Sequence, residues 1–373
     1  MPEIAVADAM PALDASLAQV PSRPAVFLLW PKQGEPHLGK TTVLRRRLLR
    51  LLRERETPSR LLNLRDTLAR VEYWLTGSKL ESLFRMYELA RQHFPKTYLD
   101  VLRLRMPPYV KVILTNEFPR SQITTHLGRA PAVYFGPFRT RVSAEQFESQ
   151  FLDLFQMRRC QEDLVPSPAH PGCIYGEMGM CLRPCQQVVN VEEYGHEVNR
   201  VIEFLRTGGR SLVDVATATR DRFSADLDFE QAARQHRRIE KIQEVLGLRD
   251  ELARDIDCLN GVAVTASVDP QAVELWFVLQ GALHPPRRIT FEVVEGKPVS
   301  LDQKLRETVG TVVPATQSIR ERQECLALLA RWYYSSWRDG EWFAFDSLEQ
   351  LPYRKLVHAI SRVAQKAEWG GSC

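Results

Sequence analysis

The 373-residue sequence lacks the marks of export or membrane insertion. Its first 23 residues contain no basic start followed by a long apolar stretch, and the longest early apolar run, Ala25 to Trp30, is far too short to cross a bilayer. A cytoplasmic protein with no membrane partner is expected. Charge of one sign is not in excess either: 50 Lys and Arg against 46 Asp and Glu leave a formal net charge of +4, too little to select a polyanionic partner by bulk electrostatics. The composition of a disordered chain is also missing, since 44% of residues are hydrophobic and 26% charged, and the length favours two or three domains.

What is present is unevenly spread. Cysteine is scarce, 7 in all, yet Cys160, Cys173, Cys181 and Cys185 fall together as Cys-x12-Cys-x7-Cys-x3-Cys. Four soft thiolates within one loop's reach are the ligand count of a [4Fe-4S] cluster or a structural zinc. The intervening QEDLVPSPAHPG is polar and proline-rich, with little to pack a core. Buried unliganded thiols are the plainer alternative, and two disulfides a third, disfavoured where cytosolic thiols stay reduced. Arginine is clustered as well: Arg45, Arg46, Arg47, Arg50, Arg53 and Arg55 lie within one short segment. That clustering, rather than the total, points to a polyanion.

Along the chain, Ala25 to Trp30 reads as a buried strand, followed by a turn around Gly34 and a helix from about Thr41 to Glu56. Leu44, Leu48, Leu51 and Leu52 form its apolar stripe, and Arg46, Arg50 and Arg53 a basic face that is either solvated or set against DNA. Lys79 to Phe94 is a second helix ended by Pro95; Tyr109 to Thr115 and Pro131 to Phe138 are strands; Ala144 to Met157 is a helix running toward Cys160. Residues 192–253 are helical throughout, and GVAVTASV, VELWFVLQG and RRITFEVVEG alternate as antiparallel strands with turns at Gly281 and Gly296. An aromatic-rich helix and turn follow at 326–345, suited to core packing. Residues 34–41, GEPHLGKT, match the phosphate-loop pattern G-x-x-x-x-G-K-[ST] between a strand and a helix, which keeps a P-loop NTPase open. Against it, WPKQ separates the strand from Gly34 and Pro36 has no backbone donor.

The order of strand, Gly-Lys, arginine-rich helix, acidic helix, four cysteines and LDFEQAARQHRRIEKI resembles the UvrC family over roughly residues 22–345. RPAVFLLW stands where that family has the GIY strand of its GIY-YIG domain. HLGKTTVLRRRL stands where it has the YIG segment and catalytic arginine, and YFGPF and the series RRC, GC, GMC and RPC follow its order. The resemblance implies an iron-sulfur cluster on the four cysteines. It also implies a UVR helix that contacts UvrB, carried here by Leu227, Phe229, Ala232, Ala233, Ile239 and Ile242; an internal helical hairpin is the alternative. His236 and Arg237 depart from the Arg-Asp usual there. The family's nuclease site uses two tyrosines, a lysine, an arginine and a metal-binding glutamate. Alignment on Gly-Lys leaves Lys40 and Arg47 matched, puts Phe27 and His37 at the tyrosine positions, and puts Met86 at the glutamate. Phenylalanine has no hydroxyl and a thioether is a poor ligand for Mg2+ or Mn2+. Glu88, two residues on, points to nearly the opposite helix face. The stretch beyond 260 resembles the one preceding the family's RNase H-like nuclease, and no second catalytic centre is expected within these residues.

The resulting expectation is an α+β multidomain chain. Its parts are an N-terminal extension (1–21), a GIY-YIG-like domain (22–105), a strand-containing cysteine-rich region (106–190), a helical segment with the UVR motif (191–255) and a β-rich C-terminal domain (256–373). The expected function is DNA binding in nucleotide excision repair with little nuclease activity. An active single-incision endonuclease using His37 and Mg2+ or Mn2+ is the alternative, and a P-loop NTPase the third reading.

Overall fold

The computed structural model describes residues 3–5, 16–52, 64–291, 293–294, 297–298, 300–314 and 317–370. Strands β1 (Glu3–Ala5), β2 (Ala25–Pro31), β3 (His37–Thr41) and β4 (Leu68–Leu75) form an antiparallel sheet in the order β1-β4-β2-β3. β2 lies inside the sheet and is covered on both sides, which is why it reads as an unbroken apolar run rather than an alternation. Phe27 and Leu29 face helix α1 (Leu44–Leu51) through Leu44 and Leu48, whereas Val26 and Leu28 face helix α2 (Lys79–His93) through Leu89. The start of α2 is fixed by Ser78, whose hydroxyl accepts from the Glu81 N–H, and its end by the approach of Pro95. The short helix α3 (Tyr98–Leu102) follows.

The middle of the chain builds a second sheet from β5 (Tyr109–Ile113), β6 (Arg120–Thr124), β7 (Ala132–Gly136) and, far along the sequence, β8 (Arg254–Asp255), in the order β6-β5-β7-β8. Helices α4 (Arg141–Leu152), α5 (Val191–Arg206), α6 (Arg210–Ala225) and α7 (Phe229–Gly247) belong to this unit. Capping boxes at Thr140/Ser143 and Asn190/Glu193 start α4 and α5. Phe135 stacks on Phe147 with centroids 5.0 Å apart, and Phe151, Phe204 and Ile242 extend that core. Gly136 is required by close approach: a Cβ there would stand 2.6 Å from the Tyr109 ring.

The third sheet contains β9 (Gly261–Ala266), β10 (Ala272–Leu279), β11 (Ala282–Leu283), β12 (Arg287–Thr290) and β13 (Glu341–Ala344). The path is β11-β10-β9-β13, and β12 also pairs with β10. Helices α8 (Leu301–Gly310) and α10 (Tyr353–Gly370) pack on one another and share a core with β9 and β10. Helix α9 (Ile319–Tyr333) joins the units instead. Its Leu326, Leu329 and Trp332 lie in one core with Leu83, Phe84 and Tyr98 of the N-terminal unit and Tyr109 of the middle one. Phe84 stacks on Trp276 at 5.2 Å, and Gly77 meets the Ser267 backbone so closely that no side chain fits between them.

An α+β multidomain chain is therefore observed, with several local differences from expectation. His37–Thr41 is a strand, so the helix begins at Leu44 rather than Thr41; the polar HLGKT is drawn into the sheet by register with Ala25–Leu29. This also removes the P-loop geometry. A phosphate loop aims successive N–H groups at one anion, while those of β3 alternate in direction along an extended strand. The helix expected over 144–157 is α4, ending at Leu152. Residues 106–190 and 191–255 share one core, because β8 completes the sheet that β5–β7 begin. Among the described residues the C-terminal part carries three α-helices beside its strands. Arg53, Arg55, Gly296 and the expected helix beyond residue 52 lie outside the described residues. Among the described residues no helix is long and apolar enough to cross a membrane.

Candidate functional site

β3 and α1 meet at a cleft of about 510 Å³ lined by Lys40, Thr41, Thr42, Val43, Arg46, Arg47 and Arg50. The Thr41 hydroxyl accepts from the Val43 N–H at 3.2 Å and turns the chain from strand into helix. Leu44 and Leu48 anchor α1 on the sheet, which leaves Arg46 and Arg50 exposed on the opposite side. Arg47 is half-buried, and its Nε has no hydrogen-bond partner. Among the described residues no acidic side chain lines the cleft, and none stands in the first turn of α1. Lys40 lies with its ammonium 5.6 Å from the centroid of the Trp337 ring, across from the C-terminal unit. Although Lys40 is exposed overall, desolvation of its ammonium, then the charges of Arg331 and Lys79, lowers its pKa below the ordinary lysine value.

The residues aligned with a nuclease site are not gathered together. Phe27 is buried with its ring across Gly39, where a Cβ would stand 2.5 Å from the ring; glycine is what admits the aromatic plane. Gly39 pairs with Phe27 and His37 with Leu29, so Phe27 and His37 belong to the sheet face toward α1. Leu38 and Met86 pack on the other face with Val26, Leu28 and Trp74. His37 is exposed at the far end of β3, about 10 Å along the strand from Lys40, and does not line the cleft. Glu88 is turned outward and pairs with Arg85 at 2.8 Å. Lys40, Arg46, Arg47 and Arg50 thus line one cleft at the sheet edge, the Lys40 side chain leaving β3 on the α2 face toward Trp337, and His37, Phe27 and Met86 do not line it.

The four cysteines follow α4. All four are free thiols in this structure; Cys181 and Cys185 are buried, Cys160 half-buried and Cys173 exposed. Burial, with the nearby Cys160, Cys173 and Cys185, pushes the Cys181 thiol up to about 11, while the Arg183 N–H, 3.4 Å from Cys181 Sγ, opposes the shift. Burial followed by Cys160 and Cys173 also raises Cys185. The four sulfurs therefore share one electrostatic neighbourhood, although among the described residues no group of three or more His, Cys, Asp or Glu is arranged as a metal site.

Sequence reasoning passed over Arg158, which is 2% exposed. Its Nε donates to the Phe118 carbonyl at 2.9 Å, and its Nη1 donates to the Glu162 carbonyl at 2.8 Å and to Cys160 Sγ at 3.3 Å. Among the described residues no carboxylate pairs with this buried guanidinium, whose donors go instead to backbone carbonyls and to Cys160 Sγ. The signal in the sequence was the RRC triplet itself.

The hairpin of α6 and α7 divides the expected partner-binding residues. Ile239 and Ile242 are buried in the middle core, whereas Leu227 and Phe229, at the turn, are 72% and 65% exposed. Ala232 is half-buried and Ala233 exposed. Asp228 caps α7 by accepting from the Gln231 N–H.

Comparison with known proteins supplies the frame for these features. Residues 108–204, from the start of β5 to the end of α5 and including all four cysteines, match the family described as UvrC/Cho excinuclease, middle domain. The chain is 31% identical over 234 residues to the UvrABC system protein C of Moorella thermoacetica, covering 62% of this chain and 38% of that protein. It is 24% identical over 287 residues to the protein of the same name from Lachnospira eligens (76% and 47%). With that of Ruminiclostridium cellulolyticum it is 23% identical over 367 residues (95% and 58%). The chain thus spans about half the length of the curated relatives it matches, and no solved structure matches it. The second sheet and its cysteines thus carry the match to the UvrC/Cho middle domain, and the longer similarities to UvrABC system protein C run on through the units at either side.

Proposed function

We propose that the chain binds the phosphate backbone of DNA in nucleotide excision repair and cuts it weakly or not at all. The observation that carries this reading is the cleft lined by Lys40, Arg46, Arg47 and Arg50, with no carboxylate among the described residues that line it. Phosphates are held by such charge, but hydrolysis also needs a group to activate water and a metal to neutralise the pentacoordinate phosphate. Mg2+ and Mn2+ prefer oxygen ligands, and among the described residues no acidic side chain lines this cleft to hold them. The alternative, an endonuclease using His37, is disfavoured by the position of that side chain beyond the cleft.

Cys160, Cys173, Cys181 and Cys185 would hold a [4Fe-4S] cluster, or zinc in its place; all four are free, the other three act electrostatically on the Cys181 thiol, and Arg158 donates to Cys160. Such a group would tie the proline-rich loop to the middle core. The exposed turn bearing Leu227 and Phe229 suits a UvrB-type partner, with Ala232 and Ala233 permitting close helix approach and Ile239 holding the hairpin to its own core. Anaerobically purified protein, incubated with supercoiled and lesion-bearing DNA in Mg2+ or Mn2+, tests the central reading. Binding without nicking is expected; nicking that is lost in His37→Ala would replace it with the endonuclease reading.

A further inference from the structure

A second cleft, of about 240 Å³, opens at the seam between the middle and C-terminal units. It lies where the end of α5, the start of α6, the segment after α7 and the turn after β13 converge, and Arg206, Arg210, Arg249 and Arg254 line it with Asp346. Arg210 is 3.1 Å and Arg254 4.0 Å from the same Asp346 carboxylate, and Arg206 is 3.6 Å from the buried Asp255. Four guanidinium groups thus share two carboxylates.

Arg249 is the one left over. Among the described residues its side chain has neither a hydrogen-bond nor an ion-pair partner. The guanidinium lies against Gly208, where even a Cβ would stand 2.9 Å from Nη1, so the backbone at that point has made room for it. Burial and then the charge of Arg254 both work against its ionisation. A half-buried cation beside another cation, with no counter-ion, is unfavourable unless something outside the chain completes the pairing. The cleft is smaller than the roughly 300–1,000 Å³ of ordinary organic-ligand pockets, which favours a compact anion. Forked N–H donors converging from several directions suit the tetrahedral oxygens of a phosphate.

We propose that this cleft is a second phosphate-binding site, separate from that of Lys40, in which Arg249 with Arg210 and Arg254 holds one phosphate group. The source is either a backbone phosphate of a nucleic acid or a free phosphate ion. Only the first source rests on the DNA-binding reading.

The test uses the full chain and Arg249→Gln, a variant that breaks no ion pair. Thermal unfolding is followed in chloride and in inorganic phosphate at equal ionic strength. Phosphate should raise the melting temperature of the parent chain by more than that of Arg249→Gln, which keeps the Lys40 cleft and the general salting effect of phosphate; Arg249→Lys, which keeps charge without the fork, should respond in between. In a parallel DNA titration against salt, a site that takes a backbone phosphate lowers the log–log slope of Arg249→Gln by about 0.9. An unchanged slope with a retained phosphate effect assigns the site to the free ion. The double variant Arg46→Gln/Arg50→Gln separates the two readings: if it and the parent chain both fail to bind DNA while phosphate still stabilises them through Arg249, the repair reading falls and this site stands. Equal phosphate responses and equal salt slopes in the parent and Arg249→Gln would overturn the proposal.

Discussion

Replacing Glu324 should cost more stability than any surface ion pair in the molecule, because its carboxylate, 2% exposed, fastens the N-terminal unit to α9. Tyr87 donates to one oxygen at 2.6 Å and Tyr98 to the other at 2.6 Å, while Arg320 Nε donates to the second at 3.0 Å. Arg320 is 70% exposed and can turn to water, so its loss is minor. The tyrosines are buried and cannot. Each of the two hydroxyls orphaned in Glu324→Ala is expected to cost about 1–3 kcal/mol, giving a total of about 2–6 kcal/mol before any cavity term. Both hydroxyls are also held in the protonated form, by burial first and then by hydrogen bonding to Glu324. The folded pKa values therefore lie above the unfolded value near 10, so this stabilisation is present below about pH 10 and is lost as pH rises through the folded values. Urea unfolding with two spectroscopic probes, with Tyr87→Phe/Tyr98→Phe placed in a cycle with Glu324→Leu, measures the coupling. The triple variant should be more stable than Glu324→Ala alone and should lose the alkaline dependence. Additive costs, or less than about 1 kcal/mol for Glu324→Ala, would refute the reasoning.

Three further outcomes follow from the other sites. Replacing any one of Cys160, Cys173, Cys181 or Cys185 by serine should lower both the iron content of anaerobically purified protein and its solubility; stoichiometric zinc without iron in the parent chain would exclude the cluster. Arg46→Gln/Arg50→Gln should reduce the salt slope of duplex binding by up to about 1.8 if each arginine neutralises one phosphate, and an unchanged slope would place DNA elsewhere. Phe229→Asp should abolish co-purification with a UvrB-type partner while leaving the thermal midpoint within a degree or two, because the ring is exposed in the free chain; an equal loss of stability would make it an internal contact.

Legibility in the sequence tracked how far each element determines itself. β2 and α2 were readable because an interior strand is apolar throughout and a capped helix carries its own boundary signals at Ser78 and Pro95. β3 was not, since HLGKT carries lysine, glycine and a half-buried threonine, and only pairing with Ala25–Leu29 makes it a strand. β8 has two residues, Arg254 and Asp255, and no local pattern could assign it to a sheet built more than a hundred residues earlier. The cysteines were found by spacing. Arg158 and Glu324 were missed because charged residues are expected outside, and their burial depends on partners distant in sequence. On α7 the apolar residues looked equivalent, but the packing of the base of the hairpin buries Ile239 and Ile242 and leaves Phe229 at the tip.

The separation of sheet faces also bears on how binding and cutting are related in this chain. The candidate phosphate cleft needs only Lys40 and the α1 arginines, which already line it together. A metal-binding carboxylate introduced at Met86 would instead enter the layer of Val26, Leu28, Leu38 and Leu89. Burying an unpaired carboxylate there is costly, and its usual response is to take up a proton and lose its value as a ligand. A tyrosine introduced at Phe27 would have to fit on the other sheet face, beneath Leu44 and Leu48, with its ring still against Gly39. Restoring the aligned residue types would therefore not restore a gathered site without repacking on both sides of β2. Phosphate binding requires no such rearrangement, so the two properties are physically separable in this fold, and retention of the first does not depend on the second.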